Sequence, residues 1–197
     1  MKDNQVSDDA LVRLIALAPA CAALVAMTAV PAAHSDDASP LYRLVDTASQ
    51  RLLTADPVAA VKWVKGGSLE DPARVAQVLD NVGADARDRG VDEAFVRRAF
   101  ENQIHATEGI QYARFGQWKL DPAAAPTGAP DLAESRTAID GFNRIMVDEM
   151  AAQRGVLQGA GCTTALNEAR DDVIADRGLD PLYRQALDFA THTYCIT

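Results

Sequence analysis

Residues 92–119, DEAFVRRAFENQIHATEGIQYARFGQWK, pass without a proline, and their two glycines come late. Few structures other than one long helix suit such a stretch. Phe95, Val96, Ala99, Phe100, Ile104 and Ile110 recur at spacings of one, three, four and six, which makes a broad inward stripe. Thr107 and Gln111 lie four apart and so stack one turn from each other on one face. Two neutral hydrogen-bonding groups beside an apolar stripe read either as half-exposed and inert or as the lining of a cavity. The helix alone leaves both readings open.

The remaining chain is punctuated by four Asp-Pro pairs, at positions 56–57, 71–72, 121–122 and 180–181. Asp accepts hydrogen bonds as an N-cap, and Pro fits the first helical position with its φ already set. The first, second and fourth pairs precede helical patterns; the third opens a loop. A helix is expected over about 40–55, with Leu41, Leu44, Val45, Ala48, Leu52 and Leu53 facing inward. A short one follows over 57–65 and stops at Gly66-Gly67. Another starts at Pro72, carries Val75, Val78, Leu79, Val82 and Ala86 inward and ends near Gly90. After the long helix comes a Pro- and Ala-rich connector, 121–130, without an element of its own. A second long helix spans 132–153, with Leu132, Ile139, Phe142, Met146 and Met150 as core positions. A turn at 155–161 and helices over about 163–177 and 181–194 close the chain. No stretch alternates with period two, and no internal repeat is found. The expected fold is all-α, a single-domain bundle of about six helices.

The first 35 residues read as a cleaved signal peptide. A weak basic region (Lys2, Arg13) precedes an apolar run over 14–30, and Ala33-His34-Ser35 fits a small-x-small cleavage pattern. A membrane anchor competes, since the run approaches spanning length, but the polar DDASP that follows favours removal. Cleavage leaves a domain of 162 residues, 36–197, enough for a real core. It takes two basic and three acidic residues from the chain's 19 and 28, leaving a net charge of −8. An acidic exported protein is a poor candidate for nucleic acid or for an anionic membrane surface. The expected location is the periplasm or the medium. Only Cys162 and Cys195 then remain, and two cysteines in an oxidising compartment read as one disulfide.

Some cations fit a solvated surface poorly. Lys62 lies in VAAVKWV among small and apolar residues, and Arg51 immediately precedes the inward Leu52. Arg136 sits four residues after Leu132. Each singly reads as an exposed or snorkelling side chain. Their spacing groups them: Arg51, ten residues, Lys62, eleven residues, Arg74, then Thr107-x-x-x-Gln111 on the long helix. In this pattern the chain resembles the AroQ-type chorismate mutases, specifically their exported gamma class. ADPVAAVKW (55–63), ATEGIQYARFGQWKL (106–120), SRTAID with Arg136, and the C-terminal cysteine pair extend the likeness over residues 41–195.

The resemblance implies an isomerase that converts chorismate to prephenate by intramolecular rearrangement, needing no cofactor and no metal. The sequence is compatible with that: its three histidines are scattered, and no HExxH, Walker or dinucleotide-binding motif occurs. By the same resemblance Arg51 and Arg136 grip the two substrate carboxylates and Arg74 supports the substrate. Lys62 bridges a carboxylate and the ether oxygen, Gln111 donates to that oxygen, and Thr107 bonds a carboxylate. Asp71 falls where the family has an acidic residue near the ring hydroxyl; it reads equally well as the N-cap of the helix opened by Pro72. Some relatives carry Glu at the position of Gln111, and Val78 stands where a relative has an amide. A homodimer is implied. The alternative reading is an exported helical binding protein that kept the fold without the catalysis. A sensor or adhesin domain with no small-molecule site would leave Lys62 unexplained.

Overall fold

The computed structural model describes residues 38–196. Among them are eight α-helices and no strand: α1 Tyr42–Leu53, α2 Ala55–Lys65, α3 Pro72–Asp88, α4 Glu93–Leu120, α5 Leu132–Ala152, α6 Arg154–Leu157, α7 Cys162–Arg177 and α8 Pro181–Thr191. The expected signal peptide lies outside the described residues. No described helix is long and apolar enough to cross a membrane.

α4 is the axis of the bundle. It packs along α8 and α3 and also meets α2 and α1, while α1 packs against α5, α7 and α8. Phe95, Val96, Ala99, Phe100, Ile104 and Ile110 are all buried, so the expected stripe is the one that faces the core. Each large side chain so removed from water contributes about 1.5–3 kcal/mol. On α1, Leu41, Leu44, Val45, Ala48 and Leu52 are buried, but Leu53 is exposed. The reason is angular: Leu53 is nine residues beyond Leu44, half a turn off the stripe.

Of the three Asp-Pro pairs expected to open helices, those at 71–72 and 180–181 do so and that at 56–57 does not. The side chains of Asp71, Asp92, Asp131 and Asp180 accept from backbone N–H groups of α3, α4, α5 and α8. Asp121 caps a 3-10 turn, Pro122–Ala124, inside the connector expected to hold no element. Asp56 does not cap. Thr54, between α1 and α2, keeps near-helical angles (φ −72, ψ −9), so α2 begins at Ala55, ahead of Asp56. Asp56 instead binds Arg114 of α4 through both oxygens, at 2.7 and 3.1 Å. α2 ends where Gly66 takes φ 71, a left-handed conformation that residues with a Cβ adopt at a cost.

Cys162 and Cys195 form a disulfide joining the start of α7 to the residues after α8. The segment expected as a plain turn at 155–161 contains the single helical turn α6.

Candidate active site

One cavity of about 440 Å³ opens among α1, α2, α3, α4 and α5, a volume suited to a small organic molecule. All seven candidate side chains line it: Arg51, Lys62, Asp71, Arg74, Thr107, Gln111 and Arg136. Five separate segments supply them. Apolar side chains complete the wall, among them Val58, Val78, Ile104, Leu132 and Ile139. Leu132 and Ile139, expected in the core, are only half-buried because they face this cavity.

Arg51 is the most enclosed of the cations, 4% exposed. Its Nε donates to Asn143 Oδ1 at 2.8 Å and its Nη1 to Thr107 Oγ1 at 3.3 Å. The guanidinium carbon lies 5.8 Å from the centre of the Phe100 ring. Burial pulls its pKa below the usual arginine value, down to about 10; Tyr194 and Asp140 oppose that shift, and Arg74 adds to it. It stays charged at neutral pH.

Lys62 Nζ donates to the Leu69 carbonyl, in the loop after α2, and to Gln111 Oε1 at 2.9 Å. Burial holds its pKa below the usual lysine value; Asp71 and Glu108 pull it back up, and Arg136 pushes it down. The Lys62 contact also fixes the Gln111 amide. An ammonium only donates, so Gln111 presents its oxygen to Lys62 and keeps its Nε2 hydrogens for another partner.

At the other wall, Arg74 Nη2 meets Asp140 Oδ1 at 2.5 Å and Nη1 meets Gln77 Oε1 at 2.6 Å. Arg136 lies 3.3 Å from Asp71, a half-exposed pair worth less than about 1 kcal/mol and easily opened. Asp71 is the expected N-cap: one oxygen accepts from the Arg74 backbone N–H of α3 at 3.0 Å, and the other faces Arg136. Thr107 accepts from Arg51 while giving its own proton to the Gln103 carbonyl at 2.7 Å.

Two polar residues against these cations are absent from the sequence-based expectation. Asp140 holds Arg74 and Asn143 holds Arg51. They follow Arg136 by four and seven residues, so helical spacing was the signal that pointed to them.

The cavity gathers four cations from an acidic chain, beside two neutral side chains on one helix and with Glu70, Asp71 and Glu108 also on its wall, and a net positive lining of this kind suits the class of small anionic ligands. Comparison with known proteins gives that class a family. Residues 42–112 match the family described as chorismate mutase type II. The chain is 52% identical over 179 residues to the secreted chorismate mutase of Mycolicibacterium smegmatis, covering 91% of this chain and 99% of that one. It is 45% identical over 172 residues to the secreted chorismate mutase of Mycobacterium tuberculosis, covering 87% and 86%. The crystal structure of a chorismate mutase from Burkholderia thailandensis superposes with a TM-score of 0.75 at 32% identity, over 80% of this chain and 99% of that chain. The chain therefore belongs to the chorismate mutase family, and both curated relatives bear the name of its secreted members.

Proposed function

We propose that this protein is a secreted chorismate mutase whose catalysis rests on the cavity just described. The observation that carries the reading is the meeting of Arg51, Lys62, Arg74, Arg136, Thr107 and Gln111 on one cavity of suitable size.

The reaction breaks a C–O bond and forms a C–C bond within one molecule, so no proton, hydride or acyl group passes to the protein. What remains for the enzyme is orientation and charge. The substrate carries two carboxylates and a flexible enolpyruvyl arm, which must fold over the ring before the new bond can form. Arg51 and Arg136 hold the two carboxylates, since a planar guanidinium binds both oxygens of each. Arg74, anchored by Asp140, supports the substrate from α3, and Asp71 faces its ring hydroxyl. Thr107 turns its proton from the Gln103 carbonyl to a carboxylate, a rotation open to any hydroxyl. Freezing the folded arm supplies the proximity contribution.

Negative charge grows on the ether oxygen as the bond to it breaks. Lys62 and the Gln111 Nε2 group donate there. Because the oxygen of Gln111 is already held by Lys62 at 2.9 Å, the amide is oriented before substrate arrives. A donor set in place beforehand acts without reorganisation in the transition state, and loss of one such donor costs about 10²–10³ in kcat.

The test follows chorismate disappearance and prephenate appearance with the oxidised protein and its Lys62→Ala variant. The expected outcome is turnover by the wild type and a loss of at least about 100-fold in kcat in a variant that stays folded. A folded wild type that binds chorismate without turnover would make it an exported binding protein. A variant as active as the wild type would remove Lys62 from the mechanism.

A further inference from the structure

On α5, Arg136 lines the cavity, and Asp140 and Asn143 follow it at helical spacing, holding cations that line it. The three arginines find different surroundings there. Arg136 rests against the Asp71 carboxylate at 3.3 Å, and Arg74 against the Asp140 carboxylate at 2.5 Å. Arg51 rests against an amide. Its Nε lies 2.8 Å from Asn143 Oδ1, and the two residues are 4% and 5% exposed. Among the described residues the other contacts of this guanidinium are the Thr107 hydroxyl and the face of Phe100, both uncharged.

Chemistry fixes which amide atom faces Arg51. The Nε–H group only donates, so Asn143 presents its oxygen. That oxygen pins one edge of the guanidinium and with it the plane of the group, while Thr107 takes one Nη1 hydrogen. The Nη2 edge stays available to a ligand. A carboxylate at position 143 would pin the same plane equally well, but it would cancel the charge that a substrate carboxylate has to find. We propose that Asn143 is a positioning residue of the reaction: it orients Arg51 toward a substrate carboxylate without neutralising it, and the site requires an amide there. The proposal rests on the reading of Arg51 as a carboxylate-binding group. The depressed Arg51 pKa agrees with a buried cation held without a counter-charge, Tyr194, Arg74 and Asp140 being the titratable and charged groups that act on it.

Four proteins decide the matter: wild type, Asn143→Asp, Asn143→Ala and Arg51→Ala, each oxidised, with kcat/KM followed from about pH 5 to pH 8 and unfolding followed by circular dichroism. Asn143→Asp is isosteric and gives Arg51 a buried partner, so its thermal midpoint should equal or exceed that of the wild type. Its kcat/KM near pH 7 should nevertheless fall by about 100-fold, carried mainly by KM, as a misplaced or neutralised group implies. The loss should persist across the whole range, because the Arg51 partner keeps the new carboxyl ionised there. Asn143→Ala should lose about 10-fold at every pH, the effect of releasing one hydrogen bond to a charged group. A purely structural role moves the midpoint and leaves KM alone.

Asn143→Asp within about twofold of wild type across that range would overturn the proposal, provided Arg51→Ala is impaired. If Arg51→Ala is itself fully active, the reading of the site has failed first. Should Asn143→Asp not fold, Asn143→Ala decides by the presence or absence of its loss. Failure of both to fold would make Asn143 a determinant of the fold and also overturn the proposal.

Discussion

Arg51→Met separates what the buried cation does for the site from what it does to the fold. Burial brings the pKa of Arg51 well below the usual arginine value, to about 10, so keeping the charge in the folded state costs about 3 kcal/mol at 1.36 kcal/mol per unit. The folded value lies below the unfolded one. The penalty is therefore fully present from neutral pH up to about 10 and fades as pH rises from there toward the unfolded value. Methionine has similar reach and no charge, and it removes the penalty. Against that, Asn143 Oδ1 loses the donor now 2.8 Å away, and an orphaned buried acceptor costs about 1–3 kcal/mol. The single variant should thus lie between unchanged and about 2 kcal/mol more stable. Arg51→Met with Asn143→Leu removes the orphan as well. It should gain about 3 kcal/mol, or about 6–12 °C in a chain of this size. Activity should move the other way: losing a desolvated carboxylate contact costs about 2–5 kcal/mol, at least 30-fold in kcat/KM. Thermal unfolding at neutral pH and chorismate turnover on the same samples test both. A double variant less stable than the wild type would refute the reasoning, because it would mean that attraction from the surroundings outweighs the cost of burying the charge.

Other outcomes follow from the same geometry. Gln111→Glu places a carboxylate against Lys62; its activity should rise on acidification, since only the protonated acid donates, whereas wild-type kcat/KM should show no such limb and should decline on the alkaline side below pH 10.5, where the depressed Lys62 loses its proton. An unchanged profile in the variant would sink that reading. The disulfide spans 33 residues, which corresponds to about 3–4 kcal/mol in the chain-entropy model, so replacing both Cys162 and Cys195 by Ser should lower Tm by about 10 °C. Intact mass of the exported protein should correspond to a chain starting at Asp36, and sedimentation should give twice that mass; a longer chain or a monomer would correct the cleavage site or the homodimer.

Much of the molecule is local physics, and to that extent the amino-acid sequence determined it. α4 was legible because a proline-free run with a periodic apolar stripe has one good structure, and α3, α5 and α8 began at aspartates because a short carboxylate suits the free N–H groups of a first turn. The seven cavity residues were legible for a different reason: their spacing matched a family, and periodicity by itself would have left Thr107 and Gln111 ambiguous. Tertiary structure decided the rest. Whether Asp56 caps α2 or binds Arg114 depended on how α1 hands over to α2 at Thr54 and on a helix 58 residues away. Arg51 reads as a residue beside the stripe, yet it continues the face of Leu44 and Ala48 and is buried by Phe100 and Asn143, which come from α4 and α5. The Leu69 carbonyl could not announce itself, since every residue has one; only the course of the loop after α2 brings it to Lys62. Helix periodicity is written within a few turns of chain, whereas the charge state and aim of a buried cation depend on partners that meet it only once the helices have packed.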